Sequence, residues 1–234
     1  MKRQYQSDPD NRDYITLIES LSTAGEVHAP LLVLKATSLL ERWIVDELDD
    51  NTAIQYSESG YSNDDINVVW LRLFEQATRA RTQGQFRLLI LDGFESHIEY
   101  DFVQFAQENR IILFTFPPHT THLLQPLDVV CFQPLKHYHS EAIDSAVRTG
   151  DTEFSKTEFL VAFQAFHQQA FKQSTILSAF RKTGIVPYNL TQVLSPLQER
   201  IERARRIEVE IMSEREEEEE DIERPRTPTT VSEL

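Results

Sequence analysis

The chain has 234 residues, 40% hydrophobic and 26% charged, enough for one sizeable core or one domain plus a tail. Its formal net charge is −15: the tail from Glu199 on holds 13 acids and 7 bases, and residues 1–198 still carry −9, which argues against broad nonspecific phosphate binding through clustered Lys and Arg. The single cysteine, Cys131, excludes a disulfide scaffold and a cysteine-rich zinc site and fits a reducing, intracellular setting; no window nears ~18 uninterrupted apolar residues, so no membrane partner is expected, and Met1-Lys2-Arg3 leads into no apolar segment of a secretory signal.

Residues 1–13 are polar and irregular. Tyr14 to Leu21 is rich in β-formers and reads as a strand, Thr23-Ala24-Gly25-Glu26 as a turn, and Leu31 to Lys35 as a second strand, so that 14–35 forms a hairpin. Trp43 and Ile44 stand in a short segment of ambiguous structure. Ser62 is the expected N-cap of a helix with early carboxylates at Asp64 and Asp65. Ile66, Val69, Trp70, Leu73, Phe74 and Ala77 then recur at helical spacing, as a core-facing stripe.

Arg87 to Leu91, ending in Asp92-Gly93, is a continuous apolar run and reads as a strand buried on both faces. A helix follows, with Ile98, Phe102, Phe105 and Ala106 on one side. Ile111 to Phe116 is the next buried strand, stopped by Pro117-Pro118. This strand–helix–strand order predicts the parallel crossover of an α/β sheet. Helices dominate afterwards. Phe132, Leu135, His139, Ala142 and Ala146 stripe one. Ser155 and Glu158 form a capping box for the next, with Phe154 stapled to Phe159; Phe159, Ala162, Phe163, Phe166 and Ala170 make its buried face. Another runs from about Thr175 to Thr183, closed by Gly184 with Pro187 beyond. Ser195-Pro196 starts a charged helix over 195–215, and 216–234 reads as an acidic, disordered tail.

Asp92 is the leading chemical candidate, because α/β sheets place ligands at the carboxyl ends of their strands. Capping of the following turn is the plain alternative. Asp128 is the second, where a Pro-rich segment enters a helix; there it either favours the helix dipole or pairs with Asp92 at a divalent metal site. Two such ions activate water and stabilise a leaving oxygen in phosphodiester cleavage. His97, His119 and His122 lack any recognised zinc spacing and read as hydrogen-bond donors to backbone or to a nucleic-acid phosphate. The acidic run 216–221 is either a solvated face or a contact for basic proteins such as histone tails.

Leu89 to Gly93, Ser96-His97, the stretch Pro117 to Asp128 and the continuation Val129 to Lys136 resemble the DDE superfamily endonuclease domain of pogo-type transposases, in the mariner group. Ser178 to Asn189 is similar to that family's closing motif, and Tyr14 to Lys35 and Glu58 to Asn63 also fit, so the resemblance covers roughly 11–194, within a domain bounded at 14–194. It implies a ribonuclease-H-like mixed sheet flanked by helices, with three metal-binding acids and Mg²⁺ or Mn²⁺ as cofactor. Asp92 matches the second acid and Asp128 the third. It further implies DNA as partner, strand cleavage and transfer as chemistry, a nuclear location, and DNA contacts from His97, His119, His122 and Lys136. The family's first acid lies on a strand before Tyr14, where Asp8, Asp10 and Asp13 have no apolar run beside them. The expectation is therefore a domain lacking its first strand, with reduced or absent catalysis. A noncatalytic interaction module or a decayed transposon remnant is the alternative, with the helical C-terminal half serving self-association.

Overall fold

The computed structural model of the chain describes residues 15–92, 99–149 and 154–223. Two small sheets and seven helices make a mixed α/β architecture among the described residues. Strand β1 (Ile15–Ile18) pairs antiparallel with β2 (Leu31–Lys35), Ile15 opposite Leu34, which is the expected hairpin. Gly25 turns it at φ 85°, a conformation that a side chain would strain. A third strand, β3 (Ala53–Ser57), lies parallel to β2, with Leu32 opposite Ile54. No strand pattern marks it in the sequence, because Ala53-Ile54-Gln55-Tyr56-Ser57 is short and mostly polar. Its position beside β2, buried over Leu31–Leu34, makes it a strand.

Helix α1 (Asp64–Arg79) starts one residue later than expected. Asn63, not Ser62, is the N-cap: its Oδ1 accepts the Ile66 N–H at 2.9 Å. Strand β4 (Arg87–Leu91), helix α2 (Tyr100–Glu108) and strand β5 (Ile111–Thr115) form the parallel crossover, with Leu89 opposite Leu113. Arg87 ties β4 to its neighbours. Its guanidinium donates to the Glu75 carboxylate of α1 at 3.2 Å and to the Asn109 carbonyl at 2.8 Å. Arg79 adds a second donor to Glu75, and these hydrogen bonds hold the Glu75 carboxyl below its ordinary range.

The period of two along β2 builds two cores from one strand. Leu31 and Val33 face Ile66, Trp70, Leu71 and Phe74 of α1, together with Leu89, Phe102 and Ile111. Leu32 and Leu34 face the opposite way, onto Trp43 and onto Leu160, Phe163 and Phe166 of α5 (Lys156–Ala170). Trp43 ends a short 3-10 turn, Glu41–Trp43. Each fully buried Leu or Phe contributes about 1.5–3 kcal/mol over an exposed one.

The β4–β5 sheet is different, and corrects the expectation of two doubly buried strands. Leu89 and Ile111 enter the first core, but Leu88, Ile112 and Phe114 point away and are 61%, 50% and 55% exposed. An apolar run fixes a strand but not what covers its second face. No hydrogen-bonded ladder joins β1 to β4 among the described residues.

Helix α3 (Thr121–Leu124) leads into a wide π-turn at Leu127–Cys131 and then α4 (Phe132–Thr149). The predicted capping box of α5 is present, with the Ser155 hydroxyl and backbone N–H both directed at Glu158. Phe154 and Phe159 both meet the ring of His139 edge-on. Helix α6 (Gln173–Lys182) is followed by Gly184 at φ 67°. The described residues up to Asn189 form one compact unit and those from Leu190 on another. The second holds α7 (Thr191–Glu223), which begins before Ser195 and carries Pro196 inside it. The helix continues beyond the expected end at 215, through the acidic run; 224–234 lie outside the described residues.

Candidate metal and nucleic-acid site

Asp92 directly follows β4. The Phe116 N–H donates to the Leu91 carbonyl at 3.0 Å, so β4 and β5 release their chains side by side at one carboxyl edge. The chain leaving β5 then reverses at Pro117-Pro118. His119 takes a left-handed backbone, φ 62°, which costs of order 1–3 kcal/mol for a residue with a side chain. The turn is held by Thr120, whose N–H and hydroxyl both donate to the Pro117 carbonyl, at 3.3 and 2.7 Å. Helix α3 follows, and the Gln125 N–H closes onto the Thr121 carbonyl at 2.9 Å. Beyond buried Pro126, the π-turn carries Asp128. Wide turns of this kind are often found at functional sites.

The two acids lie close enough to interact. Partial burial on its protein side pushes the Asp128 carboxyl above its ordinary range, and the negative charge of Asp92 pushes it further. The Lys136 ammonium and a hydrogen bond from the Thr121 hydroxyl act in the opposite sense. The site therefore joins Asp92, Asp128, Thr121 and Lys136. Both carboxylates are exposed to solvent. Oxygen donors with open space around them suit Mg²⁺ or Mn²⁺, which keep water and phosphate oxygens as their other ligands. Among the described residues no group of three or more His, Cys, Asp or Glu side chains gathers for a metal.

His119 and His122 are exposed on the connection between β5 and the π-turn. His97 lies outside the described residues, between Asp92 and α2. Thr121 was not found by sequence reasoning. It precedes Asp128 by seven residues, and the break at Pro126 removes any helical periodicity that would have linked the two.

The floor beneath Asp128 is apolar and chemically quiet. Cys131, in the same π-turn, is fully buried, and burial together with the charge of Glu19 pushes its thiol up to about 12. It stays a thiol and packs against Phe171, Ile176 and Phe180. Nearby, buried Glu19 and His167 share a 2.8 Å hydrogen bond that ties the end of β1 to α5. Burial raises the Glu19 carboxyl above its ordinary range against the pull of His167, and its second oxygen, Oε2, has no partner.

Comparison with known proteins adds a family to this geometry. Residues 11–180 match the family described as DDE superfamily endonuclease. A protein of Cochliobolus lunatus named MFS-type transporter clz9 is 38% identical over 193 residues, covering 82% of this chain and 21% of that protein. The chain thus spans about a fifth of the length of that relative. No helix among the described residues is long and apolar enough to cross a membrane. No solved structure matches.

Proposed function

Because this chain belongs to the DDE superfamily endonuclease family, we propose that Asp92 and Asp128 are the two-carboxylate part of a divalent-cation centre that acts on nucleic acid. The observation that carries this reading is the charge coupling between the two acids. Asp92 stands at the carboxyl edge of a parallel strand pair, Asp128, 36 positions on, feels its charge, and the family usually uses divalent metal ions, which supports the reading.

Asp92 and Asp128 would hold Mg²⁺ or Mn²⁺ as ionised carboxylates. The Thr121 hydroxyl donates a hydrogen bond to Asp128 and favours its charged form. Lys136 offsets the like charges and faces an incoming phosphate. His119 and His122 donate hydrogen bonds to the nucleic-acid backbone, and His97, which lies between Asp92 and α2 in the sequence, joins them. When bound, the cation supplies Lewis-acid activation of water and stabilisation of the leaving oxygen.

The finer fold reading is ribonuclease-H-like, of the pogo-type branch in the mariner group. The order β3-β2-β1 in one sheet and β4-β5 in the other supports it. In that fold the first acid lies on a further strand. Two acids without the third bind a cation and nucleic acid but cleave poorly, so strand cleavage and transfer wait on a third carboxylate. A nuclear site of action goes with DNA as the partner. The alternative is a noncatalytic module, favoured by the net charge of −15.

DNA binding and nicking test both readings. The chain is expected to bind DNA with an affinity that falls steeply as salt rises, and to leave the strands intact in Mg²⁺ or Mn²⁺. Mg²⁺-dependent nicking that Asp92→Asn abolishes would overturn the catalytic half. Absence of DNA binding at low salt would leave the interaction module as the answer.

A further inference from the structure

We infer that the open face of the β4–β5 sheet is a stacking platform for an unpaired nucleic-acid strand, with bases seated on the rings of Phe86 and Phe114 and a phosphate at Arg110. The inference takes nucleic acid as the ligand from the proposed function and extends it to a surface outside the Asp92–Asp128 site. Three observations carry it. First, the face is apolar, aromatic and uncovered. Phe86 and Phe114 are 57% and 55% exposed, and between them Leu88 lies opposite Ile112, 61% and 50% exposed. Phe86 stands level with Arg110 in the strand pairing, and Phe114 lies four residues further along β5. That is about 13 Å at the rise of a strand, so the two rings serve two separate bases.

Second, the face is free of acid in an acidic chain. The sequence holds 38 Asp and Glu, yet residues 76–91 and 109–127, which contain both strands, hold four Arg and no Asp or Glu. Glu75 and Glu108 flank these segments on α1 and α2, and those helices pack on the opposite face, against Leu89 and Ile111. A polyanion that the net charge of −15 repels elsewhere thus meets no carboxylate from either strand here. Third, a free cation stands at the edge. Arg79, Arg81 and Arg87 are paired with Glu75 and Glu26. Arg110 is exposed and pairs with no carboxylate among the described residues. It directly precedes β5, and its carbonyl accepts the Arg87 N–H at 3.0 Å, which sets it beside Phe86. Aromatic rings on an open sheet with a cation next to them are what holds single strands: every base has a π-face for the ring, and the cation takes the phosphate. A duplex, with its base faces stacked inside, does not fit this surface.

The test is binding of a short dye-labelled oligothymidylate to the full chain at low salt without divalent cations, read as fluorescence anisotropy, with light scattering of the same samples. The wild type is expected to bind. Phe86→Leu and Phe114→Leu are each expected to weaken binding about five- to 150-fold, the range for one stacked base, and Phe114→Tyr to retain it. Arg110→Gln is expected to weaken binding and to lower its salt dependence by about one phosphate. Both rings are more than half exposed, so the Leu variants keep the fold, which amide spectra verify. Phe114→Leu is expected to leave Mn²⁺ uptake at Asp92 unchanged. Failure to bind the single strand overturns the inference. So does binding that both Leu variants keep, or a wild-type chain that pairs with a second copy through this face and is made single by Phe114→Leu. A loss confined to the single strand leaves the Asp92–Asp128 reading standing, whereas a chain that binds neither single strand nor duplex overturns both.

Discussion

The two sheets are built from similar runs and end in different environments. Leu31-Leu32-Val33-Leu34 of β2 is buried without remainder, because α1 covers one face and α5 the other. Ile111 to Thr115 of β5 is as apolar, yet one face packs on α1 and α2 while Ile112 and Phe114 stay open. Burial is a property of the neighbours as much as of the strand. The open sheet is also the one that delivers Asp92, so the candidate site grows from the less supported half of the fold.

The comparison breaks most visibly at the buried Glu19–His167 pair, which anchors the covered sheet to α5. His167→Ala is expected to cost about 3–5 kcal/mol, because it leaves a buried carboxyl alone. Replacing both residues by apolar ones of similar volume is expected to recover most of that loss. Urea unfolding of the two variants measures the difference.

The next largest effect is the contrast itself. Leu32→Ala is expected to cost about 2–5 kcal/mol, and Leu88→Ala to stay within about 0.5 kcal/mol, by the same assay. Equal losses would mean that the second face of β4–β5 is covered. Ser155→Ala sharpens the picture at the start of α5, with an expected loss of about 1 kcal/mol from its cap. That loss depends on pH. Hydrogen bonds to Ser155 lower the Glu158 carboxyl below its ordinary value, so the contribution is present above the unfolded pKa and fades as pH falls through the folded one.

The smallest expected change in stability comes at the site. Asp92→Asn removes the charge that helps raise Asp128, so the Asp128 carboxyl is expected to titrate at lower pH, as followed by carboxyl-carbon NMR. A raised carboxyl favours the folded state below its unfolded pKa and loses that contribution as pH rises through the folded value. In the variant this loss shrinks. An unchanged titration would mean that the two acids do not interact.

Local chemistry was readable wherever a residue acts on its own neighbourhood. The 14–35 hairpin, the crossover from β4 to β5, and the Ser155–Glu158 cap all follow from periodicity and turn residues within a few positions. Asp92 was legible as a strand-end carboxylate. Its nearness to Asp128 was not, since no spacing rule spans a strand, a helix, a turn and a π-turn; the residues offered the pairing only beside a helix-dipole role for Asp128, and the family resemblance favoured it. Strand β3 was missed because its identity comes from β2 beside it. Ser62 and Asn63 are both good caps, and only the bond to Ile66 chooses between them. The Glu19–His167 pair, 148 residues apart, leaves no trace in local sequence.

The central claim is that Asp92 and Asp128 together take up a divalent cation. Mn²⁺ titration of the isotope-labelled chain, read as paramagnetic broadening of amide signals, tests it most directly. Broadening is expected to centre on Leu91, Asp92 and the Leu127–Cys131 turn, to weaken as pH falls and Asp128 takes up its proton, and to be lost in both Asp92→Asn and Asp128→Asn. Broadening that survives either substitution, or that centres on the acidic stretch of α7 and spares the Leu127–Cys131 turn, would contradict it.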